Sequence, residues 1–98
     1  MAKDELKFEW DTRKAEANRR KHGIEFDIAM LAFYDPLKSV EMEGHEHGEI
    51  RWRTIGEVNG RILVVSYTIH EESGVEINRL ISARKATRRE RQKYEEAP

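Results

Sequence analysis

Near the start of the chain, apolar residues alternate with charged ones. Leu6, Phe8 and Trp10 are the apolar members, and Lys7 and Glu9 separate them. A period of two is typical of a β-strand that has one face buried and the other in water. The pattern therefore predicts a half-buried strand over this segment.

The spacing of apolar residues then changes to that of helices. Asp11 can cap a helix that runs through His22, and Gly23 can adopt the left-handed conformation that ends it. Apolar residues between positions 26 and 33 predict a second, short helix. Asp35-Pro36 ends that helix, because the residue before a proline disfavours the helical conformation.

The middle of the chain is predicted to form strands. An edge strand, a polar loop and three β-rich strands are predicted at residues 37–42, 43–48, 50–58, 61–69 and 75–83. Asn59-Gly60 joins the first two β-rich strands and is the preferred sequence of a two-residue hairpin turn. That turn places Val58 opposite Arg61. Arg51 then lies opposite Thr68, and the three strands form an antiparallel meander.

Alternation along the hairpin sorts its side chains between two faces. One face is predicted to carry Arg51, Arg53, Ile62, Val64, Ser66 and Thr68. The other is predicted to carry Trp52, Arg61, Leu63, Val65 and Tyr67. Trp52 and Tyr67 are interpreted as core residues, with stacking against nucleic-acid bases as the alternative.

The end of the chain is rich in cations. Thr87 and Glu90 match a capping box, which predicts a helix that begins at Arg88. Its charges oppose the helix dipole: Arg88 and Arg89 stand in the first turn, and residues 95–96 are glutamates near the end. Helix stability does not explain this order. Phosphate binding at the helix N-terminus does, and loosely solvated arginines are the alternative.

These elements predict an α+β fold: a small antiparallel sheet, arranged as a meander, with two N-terminal helices and a C-terminal helix. A chain of 98 residues suits one domain, so we take residues 1–98 as a single unit. The absence of cysteine excludes disulfides and thiolate metal sites and is typical of a reducing compartment. Since the sequence has no signal segment and no membrane span, we expect a cytoplasmic protein without membrane contact.

The net charge of -1 conceals an uneven distribution of charge. Residues 1–50 hold 8 Lys and Arg against 12 Asp and Glu, whereas residues 51–98 hold 10 against 7. Such a split suggests that the second half of the chain presents a surface to a polyanion. A solvated charged face is the alternative interpretation.

Six segments of the sequence resemble the BrnT family of bacterial toxins. They are FEWD (8–11), NRRKHGIEF (18–26), DP (35–36), EIRWRTIG (49–56), NGRILVVSYT (59–68) and RLISARKATRRERQKYEE (79–96). The resemblance implies a RelE-like fold and an endoribonuclease toxin of a type II toxin–antitoxin module, which inhibits translation and growth. It also implies a BrnA-type antitoxin with a ribbon-helix-helix domain. DNA would be contacted only indirectly, through the complex with that antitoxin. A non-catalytic adaptor that binds nucleic acid or protein is the alternative.

RNA can be cleaved by attack of its own 2′-hydroxyl, with no metal or other cofactor. The reaction needs a base, an acid for the departing oxygen, and cations for the charge that grows on phosphorus. Arginine suits the last role, because its planar fork binds two phosphate oxygens. The resemblance points to Lys21, Glu49, Arg51, Arg61, Arg79 and Arg84. To these we add His45 as a catalytic candidate and Lys85, Arg88 and Arg89 as candidates for RNA binding, together with Arg79.

Within this set, Glu49 is the candidate base, and Arg61 and Arg84 are candidate phosphate clamps near strand ends. His45 is the candidate acid, provided that the polar loop folds over the sheet. Arg61 can instead be a solvated flank of its turn. Glu49 and Arg51 can instead form a surface ion pair worth about 0–1 kcal/mol.

Two further alternatives concern Lys21 and the histidines. Lys21 lies at the end of the first predicted helix, where a cation is favourable to the dipole without any catalytic role. His45-Glu46-His47 lacks both the spacing of known zinc sites and a clear third ligand. No metal site is therefore expected.

Overall fold

The structure, a computed structural model, describes residues 6–96. Its elements in chain order are β1 (Phe8–Glu9), α1 (Thr12–His22), α2 (Phe26–Ala29), a 3₁₀ helix (Met30–Tyr34), β2 (Ser39–Glu46), β3 (Glu49–Val58), β4 (Arg61–Glu72), β5 (Val75–Lys85) and α3 (Arg88–Glu96). The five strands form one sheet in the order β1-β5-β4-β3-β2. The fold is thus α+β, as predicted.

The sheet is mixed, so the prediction of a purely antiparallel sheet is wrong at one edge. Strands β2 to β5 follow one another along the chain and pair antiparallel, whereas β1 pairs parallel with β5. Phe8 pairs with Asn78, whose backbone N–H and side-chain amide both donate to Lys7 O, at 2.9 and 3.1 Å. Alternation along β1 identifies a strand but carries no information about a partner so distant in sequence.

The β3–β4 hairpin has the predicted register, with Val58 paired to Arg61 and Trp52 to Tyr67. The predicted polar loop at 43–48 is wrong, because β2 continues to Glu46. A bulge between Met42 and Gly44 shifts the register, and a tight turn with positive φ at His47 (54°) and Gly48 (78°) leads into β3. The polar residues of this segment pair along an edge of the sheet, where polarity does not distinguish a strand from a loop.

The first three helical segments cover one face of the sheet, which we call the helix-covered face. Their buried residues and those of the strands form one core: Ile24, Phe26, Ala29, Ala32, Phe33, Val58, Leu63, Val65, Tyr67, Leu80 and Ala83. Phe33 packs on Tyr67 with ring centroids 4.8 Å apart. The Tyr67 hydroxyl lies 2.9 Å from the Thr54 hydroxyl, so this buried polar group is satisfied. Tyr67 is a core residue, as interpreted from the sequence.

Helix α1 has the predicted ends. The Asp11 carboxylate accepts from the backbone N–H groups of Arg13 (2.7 Å) and Lys14 (3.4 Å), and Gly23 has φ 74°. Asn18, buried on α1, makes contacts that the sequence did not reveal. Its amide donates to Ile24 O and Ala83 O at 3.0 and 2.9 Å and accepts from Ala83 N–H at 3.0 Å. These bonds fix α1 against β5.

The predicted second helix is divided into the short α2 and the 3₁₀ helix. The 3₁₀ helix packs closely on β3 at Gly56, where an added Cβ would lie 2.6 Å from Ala32 O. Glycine is therefore required at this position by space rather than by backbone conformation.

Helix α3 lies on the opposite face of the sheet, which we call the open face. Three side chains that point to this face are Arg53, Ser66 and Arg84. Each is next in sequence to a residue that points to the helix-covered face: Thr54, Val65 and Ala83. The helices therefore lie on both faces of the sheet. Two N-terminal helical segments with the 3₁₀ helix lie on one face, and α3 lies on the other.

Candidate functional site

The open face holds a small cleft, here called the Glu49 cleft, of about 170 Å³. It is lined by Lys14, His47, Glu49, Arg51, Thr68, Arg79 and Ile81. Glu49 begins β3 immediately after the His47-Gly48 turn, and Arg51 follows two residues later on the same face. Across the sheet, β5 supplies Arg79. The structure thus brings together three residues that the sequence singled out.

Lys14 is a member of this cleft that sequence reasoning missed. It stands in the first turn of α1, which has no acidic residue there and carries Arg13 and Lys14 instead. This is the same mismatch between cation and helix dipole that drew attention to Arg88 and Arg89. Applied to α1, that argument would have identified Lys14.

The structure places His47, rather than the predicted His45, at the Glu49 cleft. His45 belongs to β2 and pairs with Ile50, so it shares the face of Ile50 rather than that of Arg51. The loop that was to fold His45 over the sheet does not exist. His47, in the turn, lines the Glu49 cleft.

Arg79 is the link between the Glu49 cleft and a second charged group. Its Nη1 donates to Glu9 Oε2 at 2.7 Å. His70 Nε2 lies 3.6 Å from that same oxygen and 3.6 Å from Glu72 Oε2. The ligand atoms of Glu9, His70 and Glu72 lie within 4.8 Å of one another, a spacing that could hold a metal ion. The Arg79 guanidinium would compete with a metal ion for Glu9, and it already neutralises the charge of this carboxylate.

A second cleft, here called the hairpin cleft, lies where the β3–β4 turn, the end of β5 and α3 meet. Its volume is about 390 Å³, and its cations are Arg61, Lys85 and Arg91. Glu57 and Glu95 also line it, so its cations are partly balanced. The structure therefore groups Arg61 with Lys85, both singled out by the sequence, and adds Arg91.

Arg84 lies on β5 opposite Val64, and its side chain is one-third exposed. Both of its terminal nitrogens donate to Glu90, at 2.8 and 2.9 Å. These bonds, together with the backbone of Thr87 and against the opposing effect of burial, lower the pKa of Glu90 to about 2. The same pairing raises the pKa of Arg84.

The capping box at Thr87 and Glu90 is confirmed. Thr87 N–H donates to Glu90 Oε1 at 2.8 Å, and Glu90 N–H donates to Thr87 Oγ1 at 3.1 Å. A phosphate at this helix end would have to compete with these bonds. Arg88 and Arg89 are exposed in the first turn of α3 and lie outside the linings of both clefts. Lys21, exposed in the last turn of α1, also lies outside them.

The geometry thus defines the class of the protein: a small α+β domain with two cation-lined clefts, one around Glu49 on the open face of the sheet and one where the β3–β4 turn meets α3. A family model described as "Ribonuclease toxin, BrnT, of type II toxin-antitoxin system" matches residues 10–90. The chain belongs to this family. No curated protein matches the chain. Over residues 6–96, no helix is long and apolar enough to cross a membrane.

Proposed function

We propose that this toxin cleaves RNA at the Glu49 cleft by a metal-independent reaction. Family membership supports the reaction class. The observation that carries the location is that one cleft brings Glu49 and His47 together with three cations, Lys14, Arg51 and Arg79. A cation cluster alone would bind phosphate, whereas a carboxylate among cations can also accept a proton from the substrate.

In the proposed reaction, Glu49 removes the proton of the RNA 2′-hydroxyl, and the 2′-oxygen forms a bond to the adjacent phosphorus. The bond from phosphorus to the 5′-oxygen breaks, and His47 in its protonated form donates a proton to that oxygen. The products are a 2′,3′-cyclic phosphate and a free 5′-hydroxyl. Lys14, Arg51 and Arg79 stabilise the charge that develops on the phosphoryl oxygens.

The hairpin cleft is proposed as a second phosphate site, formed by Arg61 and Lys85 together with Arg91. Strand β4 connects the two clefts, since Thr68 lines one and Ile62 the other. Six residues of strand span about 20 Å, so an RNA strand of several nucleotides could contact both. Arg84 lies on the neighbouring strand between them. We propose that RNA phosphate competes with Glu90 for this guanidinium, and that Arg88 and Arg89 add attraction at longer range.

The partner proposed for this toxin is a BrnA-type antitoxin with a ribbon-helix-helix domain, through which DNA is contacted indirectly. Membership of a type II family supports a protein antitoxin. We also propose that residues 1–98 act as one domain with a RelE-like fold, and that the protein works in the cytoplasm, where its RNA substrates are.

The test uses purified protein and a defined single-stranded RNA. We expect equal cleavage with and without EDTA, a cyclic phosphate on the upstream product, and at least a hundredfold slower cleavage by Glu49→Gln. Glu71→Gln, an exposed change on β4 outside both clefts, is the matched control and should cleave normally.

Three outcomes would contradict parts of this proposal. Loss of cleavage in EDTA that a divalent ion restores would show a metal mechanism, and Glu9, His70 and Glu72 would then be the first ligands to change. Normal cleavage by Glu49→Gln would remove Glu49 as the base. Absence of cleavage by the original chain under all conditions would favour a non-catalytic adaptor.

A further inference from the structure

Strand β2 leaves one edge of the sheet open. It is the last strand in the order β1-β5-β4-β3-β2, so over residues 6–96 its outer backbone groups have no strand partner. From Ser39 to Met42 the pairing with β3 is regular, and the bulge begins only after Met42. A regular, unpaired edge can accept another extended chain through main-chain hydrogen bonds.

The side chains of β2 divide by face. Val40 and Met42 point to the helix-covered face and are 52% and 56% exposed. Ile50, on the neighbouring strand and the same face, is 38% exposed, and Leu37 just before β2 is 70% exposed. Large apolar side chains beside an open edge are unusual on a monomer, because they favour association.

The opposite face of the same strand is acidic. Glu41 and Glu43 both contact the open face, where Glu41 pairs with Arg53 and Glu43 accepts from Ser66 Oγ at 3.2 Å. Residues 38–49 contain four glutamates and one lysine. A strand added to β2 would therefore meet apolar side chains on one face and carboxylates on the other.

We infer that the edge of β2 is the docking site for an extended segment of the protein antitoxin, in which apolar residues alternate with basic ones. The apolar side chains of that segment would cover Val40 and Met42, and its cations would lie beside Glu41 and Glu43. This inference rests on the proposed function, since it assumes that the chain has a protein antitoxin. It adds where that partner attaches and what chemistry its segment has.

The charges disfavour two other occupants. A second copy of the chain, paired through β2, would bring the carboxylates of both copies together, and like charges on neighbouring strands destabilise a sheet. RNA at this edge would be repelled by the carboxylates of Glu41 and Glu43, which lie outside the two cation-lined clefts.

The test uses a purified BrnA-type antitoxin as the binding probe. We expect Val40→Lys combined with Met42→Lys to weaken binding at least tenfold in calorimetry, because the new cations repel a basic segment and remove the apolar contact. RNA cleavage by the variant should remain normal, which also shows that it folds. Val40→Ser combined with Met42→Ser removes apolar area without adding charge and should give a smaller loss. Val75→Lys, an exposed change at the start of β5, is the matched control and should bind normally.

Each alternative result is decisive. Equal binding by the lysine pair and the original chain would overturn the docking site while leaving the proposed function intact. If the original chain does not bind the antitoxin at all, the proposed partnership fails and this inference fails with it. If sedimentation shows a dimer of the isolated chain that the lysine pair dissociates, the edge belongs to a second copy.

Discussion

At the scale of single residues, Glu90 is bound from several sides. Its carboxylate accepts from both terminal nitrogens of Arg84 and from Thr87 N–H, and Arg53 Nη1 lies 3.7 Å from it. Arg53 in turn donates to Glu41 at 2.5 Å. Arg61, in contrast, is exposed at the hairpin turn. Two arginines that the sequence treated alike therefore have different surroundings.

We expect Arg84→Ala and Arg61→Ala to lower RNA cleavage but to differ in stability. Arg84→Ala should reduce the free energy of unfolding by about 1–2 kcal/mol, because it removes a charge-assisted pair that is only partly screened by water. Arg61→Ala should change it by no more than about 0.5 kcal/mol. Urea unfolding followed by circular dichroism measures both values. Equal stabilities would mean that the Arg84–Glu90 pair contributes nothing measurable.

At the scale of elements, α3 differs from the other helices in how it is held. None of the residues 88–96 is buried. Its hydrogen bonds and ion pairs to the rest of the chain are made by Glu90 with Arg84 and Arg53, by Lys93, whose Nζ lies 3.6 Å from Glu41, and by Tyr94, which donates to Asp35. Helix α1 is held instead by the hydrogen bonds of its buried Asn18 to Ile24 and Ala83. These polar contacts of α3 therefore depend on the ionisation of carboxylates.

This dependence leads to an expectation about pH. The pKa of Glu90 is about 2 in the folded protein, against an ordinary value of 4.5, so its contribution to stability is fully present above about pH 4.5. That contribution is lost as pH falls from 4.5 towards 2. We expect Glu90→Gln to be less stable than the original chain near neutral pH, and the difference to shrink over this window. A difference that stays constant from pH 6 to 2.5 would contradict the assignment.

The elements also separate what the sequence could predict from what it could not. The β3–β4 hairpin and the ends of α1 were predicted correctly, because Asn59-Gly60, Asp11 and Gly23 act on their immediate neighbours. The parallel pairing of β1 and the extension of β2 to Glu46 were missed, since both depend on a partner strand. The sequence therefore predicted the turn and the helix ends, which depend on neighbouring residues, but not the pairing between distant segments.

The candidate site follows the same division. Glu49, Arg51 and Arg79 were found through the family resemblance, and the structure places them in one cleft. Lys14 was missed because it comes from α1, distant in sequence from the strands it joins. His45 was the candidate acid because residues 43–48 were predicted to be a loop, whereas β2 continues to Glu46 and His45 shares the face of Ile50.

At the scale of the whole molecule, cations are concentrated in two clefts although the net charge is -1. Arg51 and Arg79 line one cleft, and Arg61 and Lys85 line the other. RNA bound across both would release counterions from each contacted phosphate. Binding should therefore depend on salt despite the acidic composition of the chain.

We expect the affinity for a 2′-O-methyl RNA, which cannot be cleaved by this reaction, to fall linearly on a logarithmic plot against salt. Arg61→Ala should reduce the slope by about 0.7, the value for one lost contact on a single strand. Arg20→Ala, an exposed change on α1 outside both clefts, is the control and should leave the slope unchanged. Fluorescence anisotropy over a salt series measures both slopes. An unchanged slope for Arg61→Ala would remove the hairpin cleft from the RNA path.

Asp35 joins three parts of the chain. Its carboxylate accepts from Leu37 N–H at 2.9 Å, from Glu57 N–H at 2.7 Å and from the Tyr94 hydroxyl. Burial raises the pKa of Tyr94, and the hydrogen bond to Asp35 raises it further, to about 12, so the hydroxyl remains a donor. The contacts of Tyr94 and Glu90 join α3 to residues distant in sequence, so we expect them to form late in folding. We therefore expect loss of the Tyr94 hydroxyl to accelerate unfolding while leaving refolding unchanged.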